Sequence, residues 1–316
     1  MSDPSDNACR LFAILARDGR SAVVFRRGPS RRVLVLRWWL ADDRIEEGQW
    51  FNGRIYEHRC DLSPDGELLI YFAANWRAPL QSWTAISRPP YLTALVLWPK
   101  GDAWGGGGVF DSATAIGLNH LSTDGAQLPR QQAKWHPLGP LASNVIAKRY
   151  RVERWSEQAG RGEDNPVHHH RITRDGWRLV DPGKRGDYSA GSYGWRLIPP
   201  EIYERTCPQH GLHIRRILNA IHQKNGPWYV KDHEVVAADG ARLRPISNCS
   251  WADWDTRGDL LFAVDGGLYR ISAAQVLIAT EDPLQHAKLV ADLTDWQVVY
   301  RKAADWANGW PDDTAI

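Results

Sequence analysis

Two clusters of metal-type side chains are the first places where this sequence could do chemistry. His168-His169-His170 sets three imidazoles in a row. On an extended strand His168 and His170 face one way and His169 the other, so the outer two could share a zinc or iron ion once a carboxylate joined them. Cys207-x-x-His210-x-x-His213 adds a thiol and two imidazoles, ligand types that suit zinc. Pro208 and Gly211 also spell a tight turn there, and neither Cys60 nor Cys249 supplies a Cys-x-x-Cys pair. Taken together, His168, His170, Cys207, His210 and His213 are the set that a metal-dependent hydrolase or lyase would use. Read structurally, the first cluster is a solvated loop end after Asn165-Pro166 and the second is a turn.

Other chemistry is less well supported. Asp61, Ser63 and Asp65, and again Asp253, Asp255 and Asp259, resemble calcium-loop oxygens. The twelfth positions are Phe72 and Val264, which cannot be bidentate ligands, so turn capping is the better reading. No Gly-x-Ser-x-Gly elbow occurs. The run Trp104-Gly105-Gly106-Gly107-Gly108 lacks the Lys-Ser/Thr and following helix of a phosphate loop, which leaves a surface turn or a backbone that approaches a ligand closely. Seventeen Trp stand against ten Tyr, six Phe and one Met. Trp suits sheet cores and also ligand-stacking surfaces, and Trp98, Trp104, Gly105, Gly106, Trp177 and Trp195 are the residues expected to line such a surface.

Bulk composition narrows the partners. Thirty-nine basic against 37 acidic residues leave a formal charge of +2, so no global field recruits nucleic acid or an anionic membrane, and any such binding must be local. Eight arginines between positions 10 and 37 could contact phosphates. The acidic residues that follow favour solvent-facing arginines on edge strands instead. No signal peptide and no apolar run long enough to span a membrane is present. The cytoplasm is therefore expected, with the four cysteines reduced.

The elements that must position these groups are short strands. Turn chemistry at Asp18-Gly19, Gly28-Pro29-Ser30, Ser63-Pro64-Asp65-Gly66, Ala238-Asp239-Gly240 and Gly266-Gly267 separates runs rich in Val, Leu and Ile. Residues 120–144 and 156–166 read as loop-rich insertions and 1–8 as a polar start. Ile214–Gln223 is the best helical candidate, Val145–Trp155 and Val298–Lys302 read as strands, and Gly176–Leu179 and Gly194–Leu197 share a Gly-Trp-Arg-Leu core. Asp61–Ala73 and Asp253–Asp265 align without a gap, each with a turn Gly, an acid and Leu-Leu, which marks an internal repeat.

This hairpin, Ser-Pro-Asp-Gly-x-Leu-Leu-Ile with its echo Trp-Asp-Thr-Arg-Gly-Asp-Leu-Leu-Phe-Ala, resembles the turn between the first strands of a blade in the broad β-propeller group of WD40-like and TolB-like repeats. The resemblance implies an all-β fold, a single propeller domain of five to seven irregular four-stranded blades over residues 1–316; tandem β-sandwiches are the alternative. The Trp-Asp blade ending with a Gly-His partner is missing. The expected function is a non-catalytic, cytoplasmic bacterial propeller that binds a protein partner or small ligand on one face, without cofactor. A zinc- or iron-dependent enzyme is the alternative from another class, and a nucleic-acid module built on the N-terminal arginines is a third.

Overall fold

The computed structural model describes residues 9–311 except 29–30, 122–145, 147, 157–158, 161–163, 189–190, 192, 225 and 279–281. Five sheets follow one another along the chain, and they are the blades of a five-bladed β-propeller. The first is β1 (Arg10–Leu15), β2 (Ser21–Arg27), β3 (Arg32–Trp39) and β4 (Arg44–Asn52). The second runs β5 (Arg54–Ile55), β7 (Leu69–Ala74), β8 (Ser82–Ser87) and β9 (Val96–Pro99), with the short β6 (Asp61–Leu62) also on β7. The third is β10 (Gly108–Phe110), β11 (Ala115–Leu118) and β12 (Arg151–Arg154), the last pair parallel. The fourth is β13 (Trp177–Pro182), β14 (Tyr193–Thr206), β15 (Leu212–Gln223), β16 (Tyr229–Ala237) and β17 (Arg242–Ile246). The fifth is β18 (Cys249–Trp254), β19 (Asp259–Val264), β20 (Gly267–Ser272) and β21 (Lys288–Asp292).

Contacts divide the described residues into two compact units, 13–27, 31–171 and 297–311 in one and 9–12, 28 and 172–296 in the other. The first unit has a core of Leu68, Ile70, Ile86, Trp98, Phe110 and Leu118 around the second and third sheets. The second unit packs Trp177, Ile214, Val235, Trp254, Phe262 and Ile271 of the fourth and fifth sheets.

Three sequence expectations fail here. Ile214–Gln223 is strand, not helix: from Leu212 to Ala220 every second residue is buried, and β15 pairs with both β14 and β16 over most of its length. Two long ladders outweigh the helix formers Leu218 and Ala220. Among the described residues of Val145–Trp155 only Arg151–Arg154 is strand, and Val298–Lys302 belongs to no strand. Most of the 120–144 insertion and the 1–8 start lie outside the described residues.

The two repeat hairpins fold alike with one difference. In both, the turn Gly sits at positive φ, +73° at Gly66 and +83° at Gly258, and donates to the carbonyl three residues back, Ser63 and Asp255. Ser63 N, however, donates to Leu68 O, whereas Asp255 N donates to Asp259 O. The first loop is thus one residue longer, and its strand register slips by one. A slip turns a strand over; it is tolerated because Leu68, Leu69 and Ile70 are all buried, so both faces of β7 are covered.

The residues at the head of the two turns carry different loads. Ser63 Oγ accepts only Leu68 N among backbone donors (2.9 Å). Buried Asp255 accepts Arg257 N and Asp259 N at 2.9 Å each and the buried Arg270 guanidinium at 2.6 Å. Asp255→Ala is therefore expected to cost about 3 kcal/mol, since it removes two backbone acceptor bonds and the shorter of the two carboxylate contacts of the buried Arg270, which keeps Asp259 at 2.9 Å, and Ser63→Ala about 1 kcal/mol. Urea denaturation of the two variants checks this; equal losses would show that the buried ion pair adds nothing.

Candidate functional site

The three consecutive histidines lie on a helix, α1 (Asn165–Arg174), and not on a strand. His168 N donates to Asp164 O at its start. At about 100° per residue, His168 and His170 are about 200° apart around the axis instead of sharing a face. His168 is buried and stacks on His58, ring centroids 4.0 Å apart and 9° from parallel. Arg171 Nη2 lies 3.2 Å from His168 Nδ1. A guanidinium can only donate, so Nδ1 accepts and the ring is neutral. His170 faces the other way, with Nε2 2.8 Å from Asp111 Oδ1 and both side chains about 40% exposed (39% and 43%).

Beneath α1 the groups are structural. Arg171 Nη1 donates to Cys60 O at 2.5 Å. Arg59 donates to Asp164 Oδ1 (2.5 Å), Ala103 O (2.7 Å) and Gly105 O (2.5 Å), with the Tyr56 ring 4.6 Å from its guanidinium. The glycine run is not a surface turn, for residues 105–108 are buried. A Cβ on Gly105 would lie 2.6 Å from the Gly160 backbone, and one on Gly106 would lie 2.3 Å from the Phe72 ring. The close approach is to this chain itself. Trp98 is buried in the core, whereas Trp104 is 61% exposed.

The second cluster lies in the other unit and is dispersed by its own turn. Cys207 is buried, its Sγ 3.6 Å from Gly258 O. His210 is exposed, and His213 Nδ1 sits 3.0 Å from Thr206 Oγ1 and 3.6 Å from Glu204 Oε1. Among the described residues no group of three or more His, Cys, Asp or Glu is arranged to hold a metal. The N-terminal arginines are largely engaged: Arg37 pairs with Glu67 (2.6 Å), Arg27 with Glu57 (2.7 Å) and Arg20 with Asp18 (2.5 Å).

Other reactive-type groups are held out of action by burial. It pushes the Cys60 thiol up, and Cys249 to about 12. His120, 2.7 Å from Thr84 Oγ1, and His233, whose Nδ1 donates to Cys249 O, are both driven down to about 3 by burial first and nearby lysine charge second.

The extended end of the fourth sheet is different. Its polar row Arg178, Glu204, Arg215, Glu234 runs straight across β13 to β16, with Glu204 bonded to Arg215 (2.8 Å) and Arg178 (3.0 Å). Burial raises the Glu204 carboxyl, but Arg215, His213 and Arg178 outweigh it and hold it below the usual range. Beyond this row β14 and β15 run on into a tip. Trp195 is half-buried there, opposite Ile221. The Arg185 guanidinium lies 4.8 Å from its ring and Tyr188 meets it edge-on at 5.0 Å. His222 stacks on Trp228 at 4.8 Å. Tyr188 is 58% and Ile198 73% exposed. Trp177, by contrast, is buried in the core. Sequence reasoning names Trp195 as a candidate but not its neighbours Arg185 and Tyr188, nor His222 and Trp228, because reading Ile214–Gln223 as helix hid the strand that faces Trp195.

No family model matches the chain, and no curated protein matches it. A solved structure, an oligogalacturonate lyase in complex with manganese, is similar at 12% identity with a TM-score of 0.27, covering 85% of this chain and 76% of that one. Among the described residues no helix is long and apolar enough to cross a membrane.

The two buried histidines set an acid limit. Unfolded, each takes up a proton near 6.5; folded, each resists until about 3. Stability is therefore intact above 6.5 and falls as pH drops from there toward 3, by about 1.4 kcal/mol per pH unit per histidine. In urea midpoints measured between pH 7 and 5, His120→Gln should flatten this slope; an unchanged slope would place the acid sensitivity elsewhere.

Proposed function

We propose that the chain is a binding propeller without chemistry of its own, and that it holds a protein partner or ligand at the tip of the fourth sheet. The observation that carries this is the set of solvent-exposed or half-buried rings at Tyr188, Trp195 and Trp228, braced by Arg185 and held away from the core on long strands. Aromatic side chains so placed offer contact area at low entropic cost. The thiols and imidazoles that nucleophilic or metal chemistry would draw on are engaged elsewhere: Cys60 and Cys249 stay protonated, and His168 accepts from Arg171. None of the four cysteines forms a disulfide, which suits the reducing cytoplasm.

A second reading rests on His170 and Asp111. An exposed imidazole oriented by a carboxylate at 2.8 Å is a general-base arrangement, and hydrolase or lyase chemistry would start from it.

The tests separate the two. A panel of oligonucleotides, acidic oligosaccharides and peptides, followed by tryptophan fluorescence, is expected to yield a ligand whose affinity falls about tenfold or more in Trp195→Ala. A ligand bound equally well by that variant would remove the tip from the function. Turnover of a panel member that is lost in His170→Gln but kept in Trp195→Ala would favour the enzyme.

A further inference from the structure

We infer that the tip of the fourth sheet binds single-stranded nucleic acid, an assignment that rests on reading the tip as the binding surface. The chain as a whole is nearly neutral at +2, so phosphate binding needs a local excess of positive charge. The described residues of 183–198 and 222–228, which make the tip, carry Lys184, Arg185, Arg196 and Lys224 against the single acid Asp187. Lys184, Arg185, Arg196 and Lys224 are all exposed.

The rings are interleaved with these cations. The Arg185 guanidinium carbon lies 4.8 Å from the centre of the Trp195 ring, and arginine guanidinium planes and aromatic rings are the side-chain surfaces on which unpaired bases stack. Tyr188 stands beside Trp195, and Gly194 keeps the backbone low between Tyr188 and His222: a Cβ there would lie 3.1 Å from both. Trp195, Ile221 and Tyr229 are directly paired across three strands, so they project from one face. The tip thus offers apolar ring surface with cations at its margin, carried on two antiparallel ladders that each shift register once.

The chemistry points to unpaired bases rather than to a duplex or a sugar polymer. In a duplex the base faces are stacked on one another and closed to side chains, so rings at the tip would contribute nothing. An acidic polysaccharide would satisfy the cations, but its hydroxyls call for carboxylate and amide acceptors. The tip segments carry one acid, Asp187; Asp181, which accepts Gly183 N, and the exposed Asp232, which accepts from Asn219, flank them, and an acidic polysaccharide measured alongside the oligonucleotides shows whether these acceptors suffice.

Fluorescence anisotropy of the full chain with labelled oligo(dT), oligo(U), a duplex of equal length and an acidic polysaccharide tests the assignment. Oligo(dT) or oligo(U) is expected to bind at low salt and to outcompete the duplex. The log–log salt slope should fall by about 0.7 for each of Lys184→Gln and Arg185→Gln. Trp195→Ala should weaken binding about tenfold or more with the salt slope kept. Tyr188→Ala, at a more exposed ring, serves as the second variant should Trp195→Ala unfold. Equal affinity for the duplex, no binding to either single strand, or binding indifferent to these substitutions would overturn the assignment. Tip-dependent binding of the polysaccharide alone would overturn it while leaving the tip as a binding surface; tip-independent binding of every ligand would overturn both.

Discussion

A guanidinium buried at Arg59 is the condition on which much of the first unit depends. Three glycines in succession, Gly105 to Gly107, hold positive φ and press their backbone against Phe72, Gly160 and Arg59 itself. Such a run leaves carbonyls turned away from any ladder. Arg59 takes one of them, at Gly105, together with the Ala103 carbonyl just before the run, and spends its Nε–H on Asp164, the residue that opens α1. One cation therefore fixes a loop, the end of a short 3-10 turn and the start of a helix. The pair is buried on both sides, where an uncompensated charge costs several kcal/mol, so none of these pieces can move without the others. The histidines of α1 inherit their positions from this arrangement. His168 is carried inward to stack on His58, and His170 is left outside with Asp111.

How much of this was legible in the sequence depended on the range of the interaction. Turn chemistry is local, and the strands on either side of Asp18-Gly19, Ser63–Gly66 and Gly258 were readable from it. The gapless match of Asp61–Ala73 to Asp253–Asp265 indicated the blade hairpin but concealed the one-residue difference in register. That difference is decided by which backbone donor reaches Ser63 or Asp255, and the aligned letters do not carry it. Ile214–Gln223 shows the same limit from the other side. Its Ile-Leu-x-Ala-Ile pattern fits two periods, and the partners that choose between them, β14 and β16, are distant in what a short window sees.

Chemistry was misread for the same reason. His168 and His170 share a face only if the backbone is extended, and Pro166 with the capping carbonyl of Asp164 made it helical. Cys207, His210 and His213 looked like a ligand set by spacing, but the turn at 208–211 sends the thiol inward toward Gly258 while His213 settles by Glu204. The glycine run looked like an exposed loop because glycine is common in turns, although the absence of side chains can equally serve the packing of backbone against rings.

The tip of the fourth sheet follows from the strength of the strands that carry it. The exposed Tyr188 and Ile198 and the half-buried Trp195 would be a liability on a short, loosely paired hairpin, because exposed apolar surface on a pliable edge invites association. Here β14 and β15 pair over most of their length, and the row Arg178, Glu204, Arg215, Glu234 places opposite charges side by side on four successive strands. Directly opposed charges of unlike sign stabilise a ladder and like charges destabilise it, so the row also disfavours a slip that would bring Glu204 off Arg215. Register is thereby fixed below the tip without apolar residues being spent on it. The rings above can then be disposed for contact rather than for holding the strands together.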